Sequence, residues 1–154
     1  MALRLCRFLR QAEEGIKNRL LLTLASPAEC IFHKKPVDSV TVPGVEGAFT
    51  LTNNHSQVVS QLGPGVVTVR GAGGEPKEYF VSDGFAMLKA ASDGSGCCTA
   101  EVVGVEVVPT DAIDKDKATQ VLSSVMSGPK ESEWDKLKVL LSQKLLSAAI
   151  KAAR

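Results

Sequence analysis

Short runs of alternating apolar and polar residues dominate the middle of the chain, between residues 20 and 109. An alternation of period two places apolar side chains on one face of a β-strand. Turn signals separate the runs about every eight to twelve residues. They include LGPG at 62–65, GAGG at 71–74 and SDGSG at 92–96. The pattern therefore predicts about ten short antiparallel strands that form a β-sandwich or flattened barrel.

After Pro109 the apolar residues recur at helical spacing, which predicts two helices. Gly128 and Pro129 separate them, because glycine supplies a left-handed helix cap and proline cannot continue a helix. The second helix carries one continuous apolar stripe, made of Trp134, Leu137, Leu141, Leu145, Ala148 and Ala152. We expect an antiparallel helical hairpin that buries this stripe against the β-domain or against another protein.

The first residues differ again in character. Arginine recurs at positions 4, 7 and 10, and no acidic residue precedes Glu13. We expect a short amphipathic helical extension here. An Arg-rich, acid-free start is typical of a mitochondrial transit peptide, and the alternative is a surface helix packed on the rest of the protein or on a partner. The predicted fold class is therefore α+β, with an extension over 1–19, a β-sandwich over 20–109 and a helical hairpin over 110–154.

Composition and charge exclude several function classes. The 154 residues carry 18 basic and 17 acidic side chains, so strong nonspecific attraction to nucleic acid is not expected. No apolar run approaches the roughly 20 residues that a membrane-spanning helix needs. The charge is unevenly distributed, since residues 23–108 hold five basic and nine acidic side chains. We assign this acidic excess to turns and outward faces.

Catalytic and metal-binding patterns are absent from the sequence. It has no phosphate-binding loop and no G-x-S-x-G motif, and His33 and His55 lack a partner at catalytic or metal-binding spacing. The cysteines show no zinc spacing either. On a strand, the adjacent Cys97 and Cys98 would point to opposite faces, so at most one of them is expected to be buried. We therefore expect a protein that is not an enzyme and holds no cofactor or metal.

Three motifs carry a family resemblance. They are VPGVEGAFTLTNNH at residues 42–55, LGPG at residues 62–65 and YFVSDG at residues 79–84. Followed by a helical hairpin, they resemble the delta subunits of mitochondrial F-type ATP synthases, which are the counterparts of bacterial and chloroplast epsilon subunits. The resemblance covers about residues 20–152.

This resemblance implies a non-catalytic rotor subunit of the central stalk. In the family, the β-domain grips the gamma subunit and rests on the polar loops of the c-subunit ring, so that proton-driven torque for ATP synthesis passes through it. By motif position, Val45, Glu46 and Gly47 would face the c ring, whereas His55 and Ser60 would face gamma. The small mitochondrial epsilon stalk subunit is a further implied partner. The implied location is the matrix side of the mitochondrial inner membrane, with membrane contact through the c ring alone and no nucleic-acid partner.

Two other function classes stay open. The first is an unrelated β-sandwich binding module, because such folds have many roles. The second is a nucleotide-sensing inhibitory subunit of the epsilon type, since some bacterial relatives bind ATP through an I/L-D-x-x-R-A motif at the first helix. Ile113, Asp114, Lys117 and Ala118 nearly fit that motif, but Lys117 replaces the arginine. Lysine lacks the planar, two-pronged donor geometry of arginine, which makes this a weak candidate site.

Overall fold

The computed structural model describes residues 18–92, 94–128 and 132–153. Its strands are β1 (Leu20–Ala25), β2 (Cys30–Val37), β3 (Ser39–Gly44), β4 (Gly47–Thr52), β5 (Val58–Leu62), β6 (Gly65–Arg70), β7 (Lys77–Val81), β8 (Gly84–Lys89), β9 (Thr99–Gly104) and β10 (Val107–Pro109). A short 3-10 helix (Thr110–Ala112) then leads to two α-helices, α1 (Lys115–Ser127) and α2 (Glu133–Ala152). The predicted α+β fold class is confirmed.

All ten strands belong to one sheet that curls into two layers. One layer runs β10–β7–β6–β3 with β4 attached to β3, and the other runs β5–β8–β9–β1–β2. A bridge between Gly44 of β3 and Leu62 of β5 joins the layers. Paired strands are antiparallel except β1 and β9, which run parallel. The result is the flattened barrel that the alternating pattern predicts.

The core lies between the two layers and takes alternate residues from each strand. In β1, for example, Leu20, Leu22 and Leu24 are buried, whereas the residues between them are half-buried. Gly84 permits the closest approach of two strands, because a Cβ atom there would collide with the backbone carbonyl oxygen of Val103. Valine and leucine fill most of this core, in keeping with an aromatic content of 5%.

The helical hairpin is anchored at one end. Its two helices pack on each other, and the last turns of α2 lie beside Pro64, Gly65 and Val66 at the start of β6. Ala152 is 6% exposed and is the one buried residue among the described positions of α1 and α2. The rest of the hairpin therefore leaves a large apolar surface in solvent.

The expectation for Cys97 and Cys98 is wrong. Both side chains are buried, at 6% and 5% exposure, because the pair precedes β9 and does not lie within a strand. Asn53 holds this segment in place: its side chain donates to the carbonyl of Gly96 over 2.9 Å and accepts from the N–H of Cys98 over 2.8 Å. Of the predicted helical extension over 1–19, residues 1–17 lie outside the described part of the chain.

Candidate assembly surfaces

Five turns gather at one end of the sandwich, which we call the turn end. They occupy residues 26–29, 45–46, 63–64, 82–83 and 105–106. Strand register aligns these ends, and backbone hydrogen bonds fasten neighbouring turns to each other. The N–H of Val45 donates to the Gln61 carbonyl over 3.1 Å, and the N–H of Val105 donates to the Asp83 carbonyl over 2.9 Å. The turn end is consequently a fixed surface.

The predicted c-ring residues lie together at this end. Val45 and Glu46 form the two-residue connection between Gly44 and Gly47, which pair across the β3–β4 hairpin. Gly47 has a φ of +138°, which residues with a side chain rarely adopt. A Cβ atom on Gly44 would lie 2.7 Å from the carbonyl oxygen of Gly47. The glycine pair therefore sets the shape of the turn, and Val45 and Glu46 are exposed at its tip.

The five turns themselves are acidic, whereas Lys144 and Lys151 of α2 line the cleft beside Pro64. Four of its five turns present an exposed carboxylate, on Glu29, Glu46, Asp83 and Glu106, and none of the turn residues is lysine or arginine. Val45 and Val105 add apolar surface at 52% and 62% exposure. Such a surface is complementary to a polar or basic partner.

His55 lies at the opposite end of the sandwich, in the exposed loop between β4 and β5. Its backbone N–H donates to the carbonyl of Thr52 over 3.3 Å, and its Nδ1 lies 2.8 Å from the carbonyl oxygen of Ser56. The six-residue strand β4 separates His55 from Gly47 by about 20 Å. The two predicted contact sites are thus far enough apart to meet two different partners.

Ser60 does not share an exposed surface with His55. On β5 it lies opposite Ala86, which is fully buried, and Ser60 itself is half-buried. Its hydroxyl donates to the neighbouring Gln61 carbonyl over 3.2 Å. The adjacent Val59 points outward instead and is 71% exposed. Of the two predicted gamma-facing residues, the structure brings His55 fully to the surface.

An apolar patch that the motifs did not reveal covers the outer face of β5, β8 and β9. We call it the outer patch; it consists of Val59, Phe85 and Val103. Phe85 is 54% exposed, directly opposite Val103 on β9 and diagonal to Val59 on β5. Neighbours at this spacing contact each other across strands. One signal was available, since β8 reads GFAMLK and is apolar at both alternating sets of positions, as in strands covered on both faces.

The predicted stripe on α2 is buried at one end only. Ala148 and Ala152 lie in the cleft beside Pro64 and Val66. Trp134, Leu137, Leu141 and Leu145 are exposed by 64%, 44%, 59% and 37%, and we call these four residues the exposed stripe. Half-buried positions 139, 142, 146 and 149 mark a different side of α2, which packs on α1. The helix therefore has two apolar faces, and the hairpin uses only one of them.

Comparison with known proteins decides the family. A family model described as ATP synthase, Delta/Epsilon chain, beta-sandwich domain matches residues 19–92. The mitochondrial ATP synthase subunit delta of Yarrowia lipolytica is 32% identical over 133 residues, which cover 84% of this chain and 82% of that protein. The chain belongs to the family of mitochondrial ATP synthase delta subunits. The predicted family and mitochondrial location are confirmed.

Two further comparisons, one with a sequence and one with a solved structure, agree with this family. The mitochondrial ATP synthase F(1) complex subunit delta of Dictyostelium discoideum is 27% identical, with 76% of this chain and 65% of that protein covered. A chain in the cryo-electron microscopy structure of the Euglena gracilis mitochondrial ATP synthase, comprising OSCP, F1 and c-ring, superposes with a TM-score of 0.77 at 26% identity, over 89% of this chain and 82% of that one. As a delta family member, the chain is a subunit of a larger synthase and not an enzyme by itself.

The near-match to the bacterial nucleotide motif forms the N-terminus of α1. Asp114 caps the helix, because its Oδ1 accepts from the N–H of Lys117 over 3.0 Å, and its Oδ2 lies 3.1 Å from the Lys117 ammonium. These bonds to Lys117 hold the pKa of Asp114 below its ordinary value. The carboxylate thus already occupies the helix terminus where a phosphate would bind. Ile113 and Ala118 flank this cap and are half-buried.

Among the described residues, no helix is a candidate for spanning a membrane. Neither α1 nor α2 combines the length and apolarity that crossing a membrane requires.

Proposed function

We propose that this chain is a central-stalk rotor subunit that links the gamma subunit to the c ring on the matrix side of the mitochondrial inner membrane. Its family membership supports this role. In the proposal, residues 20–109 form the unit that bears torque, and residues 110–154 form a second binding unit. The extension over 1–19 forms a third segment of the chain in this proposal.

The turn end is the proposed contact with the c ring. The clustering of the predicted c-ring residues at this end is the observation on which the proposal most depends. Val45, Glu46 and Gly47 lie at the tip of the β3–β4 hairpin, as the motif predicts. The neighbouring turns add the carboxylates of Glu29, Asp83 and Glu106. A rigid acidic surface with apolar spots suits the polar loops of a ring, because charge complementarity fixes the position of the two partners.

The gamma subunit is proposed to bind the outer patch and the His55 loop. Val59, Phe85 and Val103 form a contiguous exposed apolar surface, of the kind that marks protein interfaces. His55 extends this surface at the end remote from the turn end. Ser60 is the neighbour of Val59 on β5 and faces the interior, beneath the outer patch. In this proposal Ser60 contributes to the gamma contact only indirectly, by supporting the position of Val59.

The small mitochondrial epsilon stalk subunit is proposed to cover the exposed stripe. Trp134, Leu137 and Leu141 lie on one face of α2 and leave a continuous apolar band in solvent. A short amphipathic helix is the element that fits such a band, since its own apolar face would otherwise stay exposed.

Binding to purified gamma subunit tests the proposal. Phe85→Asp should weaken the complex at least about tenfold, because it places a charge in the centre of an apolar contact. Ala72→Asp adds the same charge to an exposed loop far from the outer patch and should leave binding unchanged. Equal loss of binding in both variants, or none in either, would contradict the assignment. Thermal unfolding of each variant confirms that the fold is intact.

A further inference from the structure

Strand β4 forms an open edge of the sheet. Among the described strands it pairs with β3 alone. Natural sheets protect such edges with charged residues, proline, bulges or very short strands. The edge strand β2 has three of these protections: the charged residues Lys34 and Lys35, the proline Pro36, and an irregular register with β1. The other edge strand, β10, is only three residues long. β4 reads GAFTLT and has none of them.

The ladder geometry identifies the open backbone groups. Gly44 and Gly47 close a two-residue hairpin, so they exchange hydrogen bonds with each other. The residues of β4 then alternate in direction, and every second residue, beginning with Ala48, turns its N–H and C=O away from β3. These residues are Ala48, Thr50 and Thr52; at Thr52 only the N–H is open, because its carbonyl accepts from the N–H of His55. The 2.9 Å approach of the Thr41 and Thr50 hydroxyls agrees with this parity, because side chains are closest in pairs without hydrogen bonds.

The open edge is also held rigidly. Leu51 of β4 is fully buried, and Phe49 packs against the core. The outward N–H and C=O groups of Ala48 and Thr50 are therefore fixed in an extended, evenly spaced row. A row of this kind is the template to which an added strand binds in β-augmentation.

We propose that β4 accepts an extended segment of an assembly partner as an additional strand. The segment would lack proline at the pairing positions and be uncharged opposite Thr50. It would carry a basic residue near Glu46, which immediately precedes the uncharged strand β4. This inference rests on the proposed function, because β4 runs from the ring-facing hairpin at Gly47 to the gamma-facing loop at His55 and is continuous with both surfaces.

A second copy of this chain is a less suitable occupant. Two β4 strands paired edge to edge around Thr50 would press both β3–β4 turns and both His55 loops into the dimer interface. The same surfaces are needed for the ring and for gamma in the proposed function. A partner strand uses the edge without this conflict.

Amide hydrogen exchange tests the inference in the full chain, alone and in the assembled ATP synthase. In the isolated chain, the amides of Ala48, Thr50 and Thr52 should exchange fast and that of Leu51 slowly. In the assembled complex, the three fast amides should slow at least about tenfold. Unchanged fast exchange in an intact complex would overturn the inference but not the proposed function, whereas failure of the chain to assemble would overturn the proposed function itself. Slow exchange of these amides already in the isolated chain would also overturn the inference. If the slow exchange depended on protein concentration, a second copy of the chain would cover the edge; if it did not, residues of the same chain would cover it.

A matched pair of variants separates strand pairing from simple burial. Thr50→Pro removes the outward N–H, a change that an edge strand tolerates, while Thr50→Val keeps the N–H and a branched side chain. Thr50→Pro should lower the affinity of the chain for the complex at least about tenfold, and Thr50→Val should not. Equal affinities of the two variants would overturn the inference. If Thr50→Pro fails to fold, the exchange measurement on the unaltered chain decides.

Discussion

At the scale of single residues, Gly47 is the position where backbone conformation and proposed contact coincide. Its φ of +138° strains any other residue, although a Cβ atom would meet nothing within 4 Å. Gly47→Val should cost about 1–3 kcal/mol of folding free energy and reshape the β3–β4 turn. Proton-driven ATP synthesis should therefore fall in assembled membranes, while ATP hydrolysis by the detached catalytic head persists. Both rates are measurable on the same preparation.

Gly74→Val is the matched control for this change. Gly74 lies in an open loop remote from the turn end, and nothing lies within 4 Å of its Cβ position. Synthesis should be normal in this variant. If Gly47→Val also left synthesis and thermal stability unchanged, the placement of the turn against the ring would be wrong.

The sequence predicted residue positions well where backbone geometry limits the choice. The glycines of the β3–β4 turn are required by its shape, and the motif that contains them located the turn. The orientation of Ser60 was not predictable, because a one-residue change in parity moves a side chain to the other face. The burial prediction for Cys97 and Cys98 was wrong because alternation applies only within a strand, and this pair lies before one.

At the scale of elements, the N-terminus of α1 should not sense ATP. Asp114 occupies the helix terminus and binds Lys117, whose side chain is 80% exposed. Titration of ATP into the isolated chain, followed by Trp134 fluorescence and calorimetry, should show no saturable binding below about a millimolar, at which affinity the binding free energy is only about 4 kcal/mol. Tighter binding that Lys117→Ala abolishes would instead support the nucleotide-sensing alternative.

The same cap gives a local pH dependence. The pKa of Asp114 is lowered in the folded chain, chiefly by the hydrogen bond from the Lys117 N–H. The stabilisation is therefore present above the unfolded-state pKa and is lost as the pH falls through the folded-state pKa. Relative to the intrinsic exchange rate, the protection of the Lys117 amide should decrease in the unaltered chain as the pH falls below the ordinary aspartate range, and Asp114→Asn should remove most of this dependence. An identical pH profile in the variant would argue against the cap.

The two faces of α2 should differ in their contribution to folding. Leu146 is half-buried on the side that packs on α1, whereas Leu141 is 59% exposed on the exposed stripe. Leu146→Ala should lower the free energy of unfolding by roughly 1–2 kcal/mol, and Leu141→Ala by less than about 0.5 kcal/mol. Thermal or denaturant unfolding measures both. The opposite order would mean that the exposed stripe packs on this chain after all.

This difference between the faces also marks a limit of prediction at the element scale. Helical periodicity located both helices and the turn between them, because the spacing of apolar residues depends on local geometry alone. It selected the stripe that begins at Trp134 as the buried face. The structure packs the other face on α1, since α2 is apolar on both. A helix with two apolar faces has two possible partners, and the sequence of one chain does not rank them.

At the scale of the whole molecule, the two proposed interaction surfaces are separated by the length of the strands. The acidic turn end lies at one extremity and the His55 loop at the other, with the outer patch between them. A rigid β-core connects these surfaces without an intervening hinge among the described strands. Such a body can transmit force between two partners with little loss to internal deformation, because close-packed interiors have low compressibility.

Charge reversal at the turn end should therefore uncouple the complex without unfolding the chain. Glu46→Lys replaces one of the four carboxylates with a cation at an exposed hairpin tip, so thermal stability should change little. Contact with the ring should weaken through loss of charge complementarity, and ATP-driven proton pumping should fall while ATP hydrolysis continues. Glu75→Lys makes the same change in an exposed loop at the opposite end and should leave pumping intact. The difference between the two variants should also shrink as salt concentration rises, because exposed charges are screened. Equal pumping by both variants at low salt would show that the acidic turn end does not contact the ring.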